Sequence, residues 1–230
     1  MNRQVIINLI KSSKAAIMVA VIAMALSSCK SNGDIIPVVP PANLNIINAA
    51  TDSLNVYQNG ARLNNISTIS PGSQSGYISV ASGTQTYQLK KSGMTTYLVS
   101  SLPLKLDSGT FYSLFLAGET SDKIFLVTDT LPAVSTTAAA VRFINASPAS
   151  TNLDVYVGSL SFLNQPFKAV GNFKPVATGH TLITIYNHAT TTQLFSDTTT
   201  LTAGGAYTLF TKGIPGGAGP NQFSVVLAIN

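Results

Sequence analysis

The chain contains an internal duplication, and this duplication restricts the possible folds more than any other feature of the sequence. Residues 44–49 (LNIINA) are matched by residues 141–146 (VRFINA), and residues 54–57 (LNVY) by residues 153–156 (LDVY). Further matches follow in the same order, with an offset that drifts only between 95 and 99 residues. Each copy spans about 90 residues, which is enough for a domain that folds by itself.

Short apolar runs separated by turn residues predict β-strands in each copy. Asn59-Gly60 predicts a type I′ hairpin turn, because both central residues of that turn adopt a positive φ. We therefore expect an all-β fold with two tandem antiparallel β-sandwich domains, of the immunoglobulin-like or prealbumin-like type. The predicted strands of the first copy cover residues 44–49, 54–58, 61–66, 76–80, 84–90, 95–102, 110–117 and 123–128.

The charge of the chain argues against a nucleic-acid partner. Charged residues make up only 9% of the sequence, far below the roughly 25% that is typical of soluble proteins. The formal net charge is +5, but three basic residues lie in the first fourteen, which leaves ten basic against eight acidic residues, or +2. These remaining basic residues are scattered, whereas nucleic-acid binding needs a basic cluster.

The first 28 residues have the pattern of a bacterial signal peptide. A segment with three positive charges is followed by the apolar run 15–26, two serines and Cys29. The run has twelve residues, fewer than the ~20 that span a bilayer. A signal peptide is therefore expected, with an uncleaved signal anchor or a buried core helix as the alternatives.

The string Leu26-Ser27-Ser28-Cys29 resembles the lipobox of bacterial lipoproteins, and Cys29 is the only cysteine. The resemblance implies a diacylglycerol on the Cys29 thiol, cleavage just before this residue, and acylation of the new amine, with palmitate as the expected acyl group. Three acyl chains suffice for stable membrane anchoring. With Lys30 after the cysteine, the resemblance favours the cell outer membrane of a Gram-negative bacterium and leaves open the periplasmic or the surface-exposed face.

The segments outside the two copies complete the predicted domain plan. The proline-containing stretch after Cys29 predicts a flexible tether, and a stretch rich in Pro, Ala, Ser and Thr predicts a linker between the copies. The plan comprises a signal peptide at 1–28, a lipidated cysteine and tether at 29–42, sandwich domains at 43–130 and 140–230, and a linker at 131–139.

The openings of the two copies resemble a known family. Asn145-Ala146-Ser147-Pro148 and Asp154-Val155-Tyr156 are similar to the opening of the exported bacterial family called domain of unknown function 4397. The first copy departs from this pattern with Ala50 and Thr51 in place of Ser-Pro, and with Asn55 in place of the Asp. The resemblance implies an exported β-sandwich lipoprotein and no particular activity.

No pattern in the sequence predicts a catalytic, cofactor or metal site. Glu119 and Asp122 are close in sequence but fall in a predicted hairpin loop, whereas a glycosidase needs two carboxylates that face each other across a substrate. His180 and His188 flank one predicted strand and are too far apart to share a metal ion. Residues 72–76 (GSQSG) superficially resemble a nucleophile elbow, but their central residue is Gln74.

The tyrosines are the remaining candidates for binding. Tyr57 and Tyr112 of the first copy match Tyr156 and Tyr207 of the second, and residues kept in both copies are expected to serve the shared core. Tyr97 and Tyr186 lack aromatic counterparts and are candidates for surface contacts. The chain has no tryptophan, which weakens a carbohydrate-binding interpretation without excluding it.

Together these patterns predict a membrane-anchored, non-catalytic module of the cell envelope that binds a protein or glycan partner or has a structural role. Two alternatives stay open: a hydrolase of envelope polymers, and an accessory subunit of an outer-membrane nutrient importer. Three Asp-Ser/Thr triplets also make Ser53, Thr130 and Thr198 candidates for O-glycosylation, with Thr130 favoured because it borders the linker.

Overall fold

The computed structural model describes residues 39–64, 67–133 and 135–230. The predicted signal peptide, Cys29 and the tether up to residue 38 lie outside the described residues. Within the described part of the chain, no helix is long and apolar enough to cross a membrane.

Eight strands of the first repeat form two four-stranded sheets. We call the sheet of order β4-β1-β7-β8 inner sheet 1, and the sheet of order β3-β2-β5-β6 outer sheet 1. The strands are β1 (Ala42–Asn48), β2 (Leu54–Gln58), β3 (Ala61–Arg62), β4 (Gln74–Val80), β5 (Gly83–Lys91), β6 (Val99–Leu106), β7 (Phe111–Leu116) and β8 (Ile124–Thr128).

The second repeat has the same topology. Inner sheet 2 has the order β12-β9-β15-β16, and outer sheet 2 the order β11-β10-β13-β14. The strands are β9 (Ala138–Ile144), β10 (Leu153–Val157), β11 (Leu160–Gln165), β12 (Lys174–Ala177), β13 (Gly179–Asn187), β14 (Gln193–Leu201), β15 (Ala206–Lys212) and β16 (Ser224–Ile229).

The predicted fold class is confirmed: the protein is all-β and consists of two tandem sandwiches. The described residues contain no α-helix, only short 3₁₀ turns at Ser121–Lys123 and Gly219–Asn221. Most strand pairs are antiparallel, but β1 pairs in parallel with β7, and β9 with β15. This parallel pair, which the sequence did not indicate, lies at the centre of each inner sheet.

Most strand positions follow the predictions closely, but two differ: β3 covers only Ala61–Arg62 of the predicted residues 61–66, and β6 is shifted along the chain. β2 covers the predicted residues 54–58, and the turn after it has Asn59 at φ 50° and Gly60 at φ 84°, as a type I′ turn requires. β6 begins four residues after the predicted start at 95 and continues through Pro103. Because β6 is an edge strand, the missing N–H of a proline can be tolerated there.

Each sandwich has a core between its two sheets. Leu44 and Ile46 of β1 meet Leu54 and Val56 of β2 in the first core, together with Tyr87 of β5. All five side chains are at most 2% exposed. Burying an aliphatic or aromatic side chain of this size stabilises a fold by about 1.5–3 kcal/mol.

A third apolar cluster lies between the two repeats. It is formed by the inner-sheet side chains that point away from the core of their own sandwich, including Ile47 and Phe115 of the first repeat and Ile144 and Phe210 of the second. The ring centroids of Phe115 and Phe210 are 5.6 Å apart in an edge-to-face arrangement. The inner sheets therefore pack against each other, and the sheets stack in the order outer 1, inner 1, inner 2, outer 2.

The two repeats are joined by this packing and not by shared sheets. All described strand pairs lie within one repeat, and the back-to-back cluster is distinct from both sandwich cores. Residues 39–230 accordingly form one compact unit.

Candidate functional site

The asparagine that opens the repeated motif has a structural role in both copies. Asn48 is fully buried, and its side-chain amide donates hydrogen bonds to the carbonyls of Asp52 and Ile69, at 2.8 and 2.7 Å. Its Oδ1 accepts the N–H of Ala50 at 3.0 Å. The side chain thus holds the turn after β1 against a neighbouring loop.

Asn145 does the same after β9. Its Nδ2 donates to the Ser150 hydroxyl and to the Gln165 carbonyl, both at 3.0 Å, and its Oδ1 accepts the N–H of Ser147 at 3.1 Å. The Thr211 hydroxyl on β15 donates to the same oxygen at 2.9 Å. The polar groups of the motif are therefore used within the fold and are not available to a ligand.

One pair of repeated tyrosines belongs to the core, as predicted. Tyr112 and Tyr207 are only 5% and 6% exposed. Their hydroxyl groups accept the backbone N–H of Asp107 and of Thr202, at 3.1 and 3.2 Å. Each tyrosine thereby holds the loop that leads into its own strand.

The prediction is wrong for Tyr57 and Tyr156. Successive side chains of a strand point to opposite faces, so with Leu153 and Val155 in the core, Tyr156 points outward and is 39% exposed. On this outer face it contacts Tyr186 of β13, with ring centroids 6.1 Å apart and planes at 80°. The Leu-x-Val-Tyr alternation is the sequence signal that places this tyrosine on the surface.

Polar groups border this tyrosine pair. Asp154 accepts the N–H of Asn164 at 2.8 Å and that of Ala189 at 3.3 Å, and its Oδ1 lies 2.9 Å from Nδ1 of His188. Partial burial would raise the pKa of the Asp154 carboxyl, but these hydrogen bonds together hold it below its usual value. The hydroxyl-bearing residues Thr184, Thr190 and Thr191 line the same shallow depression.

The first repeat also has a tyrosine pair beside its outward tyrosine, with a different second ring and different surroundings. The ring centroids of Tyr57 and Tyr97 are 5.7 Å apart, with planes at 84°. The ammonium of Lys90 lies 5.2 Å from the first centroid and 4.3 Å from the second. Lys90 takes the place of Tyr186, because Lys90 pairs with Asn55 as Tyr186 pairs with Asp154.

Both copies thus show the same strands, buried asparagine and outward tyrosine at matching positions. The family model of the domain of unknown function (DUF4397) matches residues 42–156 and again residues 139–225. The chain belongs to the DUF4397 family. This confirms the predicted family and its two copies, and a search of curated proteins finds no match.

Two solved structures resemble this DUF4397 protein along most of its length. A carbohydrate-binding module of family 26 from Eubacterium rectale, crystallised with maltoheptaose, is 12% identical, with 80% of this chain and 95% of that chain covered and a TM-score of 0.28. A Bacteroides fragilis protein assigned provisionally to cell adhesion is 11% identical, with 83% and 97% covered and a TM-score of 0.25. At such TM-scores neither likeness carries an argument about function.

The DUF4397 fold brings together two carboxyl groups that sequence reasoning did not pair. Asp52, after β1, and Glu119, after β7, both lie beside the ammonium of Lys91, whose Nζ is 2.8 Å from Asp52 and 3.8 Å from Glu119. The hydrogen bond from Lys91 lowers the pKa of Asp52, whereas the contact with Asp52 and burial raise that of Glu119. Asp122, the predicted neighbour of Glu119, lies in the 3₁₀ turn.

The two histidines occupy separate positions, as expected. His188 contacts Asp154, whereas His180, at the other end of β13, has its Nδ1 3.3 Å from the Thr200 hydroxyl. Within the described ranges, no group of three or more His, Cys, Asp or Glu residues could hold a metal ion. Gln74, the centre of the superficial nucleophile elbow, begins β4 and accepts a hydrogen bond from Asn45 at 2.9 Å.

The three glycosylation candidates lie in different settings. Ser53 is half-buried just before β2, Thr198 is exposed on β14, and Thr130 is exposed directly after Asp129. The Asp129 side chain itself is fully buried in an ion pair with Arg142. Glycosylation at any of the three stays a prediction.

Proposed function

We propose that this protein is an exported lipoprotein, anchored in the outer membrane through Cys29, that acts as a non-catalytic binding module for a partner in the cell envelope. The observation that carries this proposal is the tyrosine pair on the outer face of each sandwich, in which one ring (Tyr97 or Tyr156) is exposed and the other (Tyr57 or Tyr186) is half-buried. Tyrosine supplies a large, rigid contact area with a polar end and little loss of conformational entropy on binding. A partner, protein or glycan, would be held on the outer sheets.

The entry of the chain into the first sandwich fits this arrangement. The Pro40 carbonyl accepts hydrogen bonds from the hydroxyls of Ser82 and Ser108, at 3.0 and 2.8 Å. Pro40, near the end of the predicted tether, is thus held by loops at one end of the sandwich, whereas the tyrosines lie on the broad outer face.

The surroundings of the acidic residues support a non-catalytic role. Asp129 is buried against Arg142, and Asp52 is held by Lys91. These carboxylates are already engaged within the protein, whereas a general base must reach a proton of the substrate.

Binding to fractionated cell envelope tests the proposal. The full-length chain in detergent should bind at least one fraction among outer-membrane protein, lipopolysaccharide and polysaccharide. Replacing either Tyr57 and Tyr97 or Tyr156 and Tyr186 with Ala should weaken this binding at least tenfold. Met94→Ala is the matched control, because this exposed side chain (58%) lies in the turn after β5. Equal binding by all variants, or no binding at all, would refute the proposal.

One observation favours a hydrolase as the second candidate. The pKa values of Asp52 and Glu119 are displaced in opposite directions, as in a general acid paired with a carboxylate. However, the Lys91 ammonium lies 2.8 Å from Asp52 and 3.8 Å from Glu119, whereas glycosidase carboxyls face each other across a space that admits the substrate. Release of reducing ends from envelope polysaccharide by the wild type, but not by Glu119→Gln, would establish this activity.

A further inference from the structure

We propose that the Tyr156–Tyr186 pair on outer sheet 2 is a binding site for a neutral polysaccharide chain. This inference rests on the proposed binding function and names the ligand class of its second-repeat face.

The geometry of the two rings suits a sugar ring. Their planes meet at 80°, with centroids 6.1 Å apart, so they form an open corner and not a closed stack. One ring can then lie against the apolar C–H face of a pyranose while the other bounds its edge. The Tyr186 hydroxyl is directed by a hydrogen bond to Gln193 Oε1 at 3.1 Å.

The groups around the corner match the hydroxyl rim of a sugar. Thr184, Thr190 and Thr191 line the depression, and each hydroxyl can both donate and accept a hydrogen bond. The Asp154 carboxylate is held in place by the N–H groups of Asn164 and Ala189. A fixed acceptor beside an exposed ring loses little conformational freedom when it binds a sugar hydroxyl.

The distribution of charge selects a neutral chain over an anionic one. The four strands of outer sheet 2 contain no lysine or arginine, and their acidic residues are Asp154 and Asp197. The lowered pKa of Asp154 keeps it ionised near neutral pH. An anionic polymer would therefore meet the Asp154 carboxylate, which no lysine or arginine of these strands offsets and whose neighbouring titratable group is His188 at 2.9 Å.

The first repeat differs in the charge around its tyrosine pair. Outer sheet 1 carries Arg62, Lys90, Lys91 and Lys105. The Lys90 ammonium lies over the rings of both Tyr57 and Tyr97, so a sugar would have to displace this cation before stacking. The neutral-glycan site is accordingly assigned to the second repeat.

Calorimetric titration of the full-length chain in detergent with cellohexaose, maltohexaose, xylohexaose and hexagalacturonate tests the assignment. Tyrosine fluorescence gives a second measurement of binding. The chain has eight tyrosines and no tryptophan, so its intrinsic emission comes from tyrosine and responds to contacts with a tyrosine ring. At least one neutral hexasaccharide should bind and change this emission, and the acidic hexamer should bind at least tenfold more weakly.

The variants then locate the site. Tyr156→Ala and Tyr186→Ala should each weaken binding of the neutral hexamer at least tenfold, whereas Tyr156→Phe, which keeps the ring, should weaken it less than threefold. Leu182→Ala should leave the affinity unchanged, since Leu182 is exposed (52%), belongs to outer sheet 2 and does not line the depression. Thermal unfolding of each variant checks that the fold is intact.

Each contrary outcome has a defined meaning. If no neutral hexamer binds, or if the Tyr156→Ala and Tyr186→Ala variants bind as the wild type does, the glycan assignment is wrong. If the same face instead captures an envelope protein or the acidic hexamer, the assignment is wrong while the binding function stands. If no envelope fraction binds to either face, the proposed function fails as well.

Discussion

The guanidinium of Arg142 on β9 donates a hydrogen bond to the carboxylate of Asp129, just after β8, and this ion pair joins the two repeats in a buried position. The side chains are 3% and 0% exposed. Ser113 and Tyr77 donate to the second Asp129 oxygen, at 2.7 and 2.8 Å, while Arg142 Nε donates to the Thr208 hydroxyl at 2.8 Å. The inner-sheet interface thus combines a satisfied polar cluster with an apolar one.

Removing one partner of this ion pair should destabilise the protein strongly. Arg142→Ala or Asp129→Ala leaves the opposite charge buried and unpaired, which costs about 3–5 kcal/mol. The double variant should cost less than the sum of the two, because it leaves neither charge behind. Urea unfolding of the three variants measures these differences. Strictly additive losses would show that the two side chains do not interact.

The interface also predicts the outcome of cutting the linker. A site-specific protease sequence in place of residues 135–137 should be cleaved, because this segment, in which Thr136 and Thr137 are exposed, lies between two complete sandwiches. The two fragments should stay folded and elute together in gel filtration, held by the packing of Phe115 against Phe210. The same cleavage in a Phe210→Ala background should allow them to separate. Joint unfolding after cleavage would instead mean that neither sandwich is stable alone.

The motif asparagine should be essential for stability and not for binding. Asn145→Ala removes two donated and two accepted hydrogen bonds at a fully buried position. Each buried group left without a partner costs about 1–3 kcal/mol, so the midpoint of urea unfolding should fall markedly. Asn152→Ala is the control, since this exposed side chain bonds only to Asn164 at 2.7 Å and should cost under about 0.5 kcal/mol. A comparable loss in both variants would contradict the structural role.

Two tyrosines should ionise late and make the protein sensitive to alkali. Burial raises the pKa of Tyr77 and of Tyr87 to about 12 from the usual 10.0. The folded state thus holds these protons more tightly than the unfolded state, so the resulting stability is complete below pH 10 and is lost as the pH rises towards 12. For the fully buried Tyr87, two pKa units correspond to about 3 kcal/mol. Tyr87→Phe should therefore show a smaller loss of stability between pH 10 and 12, measured by circular dichroism, than the wild type.

Cys29 should carry the lipid anchor. The wild-type chain, expressed in a Gram-negative host, should partition into the detergent phase after extraction, and Cys29→Ala should appear in the aqueous phase or remain as an uncleaved precursor. Ser28→Ala is the matched control, because it keeps a small residue before the cysteine. A mature Cys29→Ala protein that still partitions into detergent would show that the anchor lies elsewhere.

Local patterns in the sequence determined the repeats, the family, the all-β class and most strand positions. β2 and its Asn59-Gly60 turn could be predicted because hairpin geometry depends on the φ angles of two adjacent residues. The duplication could be read from the residue matches alone. The prediction that Tyr57 and Tyr156 belong to the core was wrong. A residue that is kept in both copies can occupy either face of its strand, and the match between copies does not show which.

Only the tertiary structure decided which surfaces became buried and which residues met. Residues 111–117 are mostly apolar on both faces of the strand. This pattern predicts a buried strand, but it does not predict which sheet covers each face. Ile47, Phe115, Ile144 and Phe210 become one cluster because two inner sheets far apart in sequence pack together. Asp52 and Glu119 meet for a similar reason, since β1 and β7 lie in parallel and end at the same side of the sheet. Such contacts depend on distant segments, and strand periodicity carries no information about them.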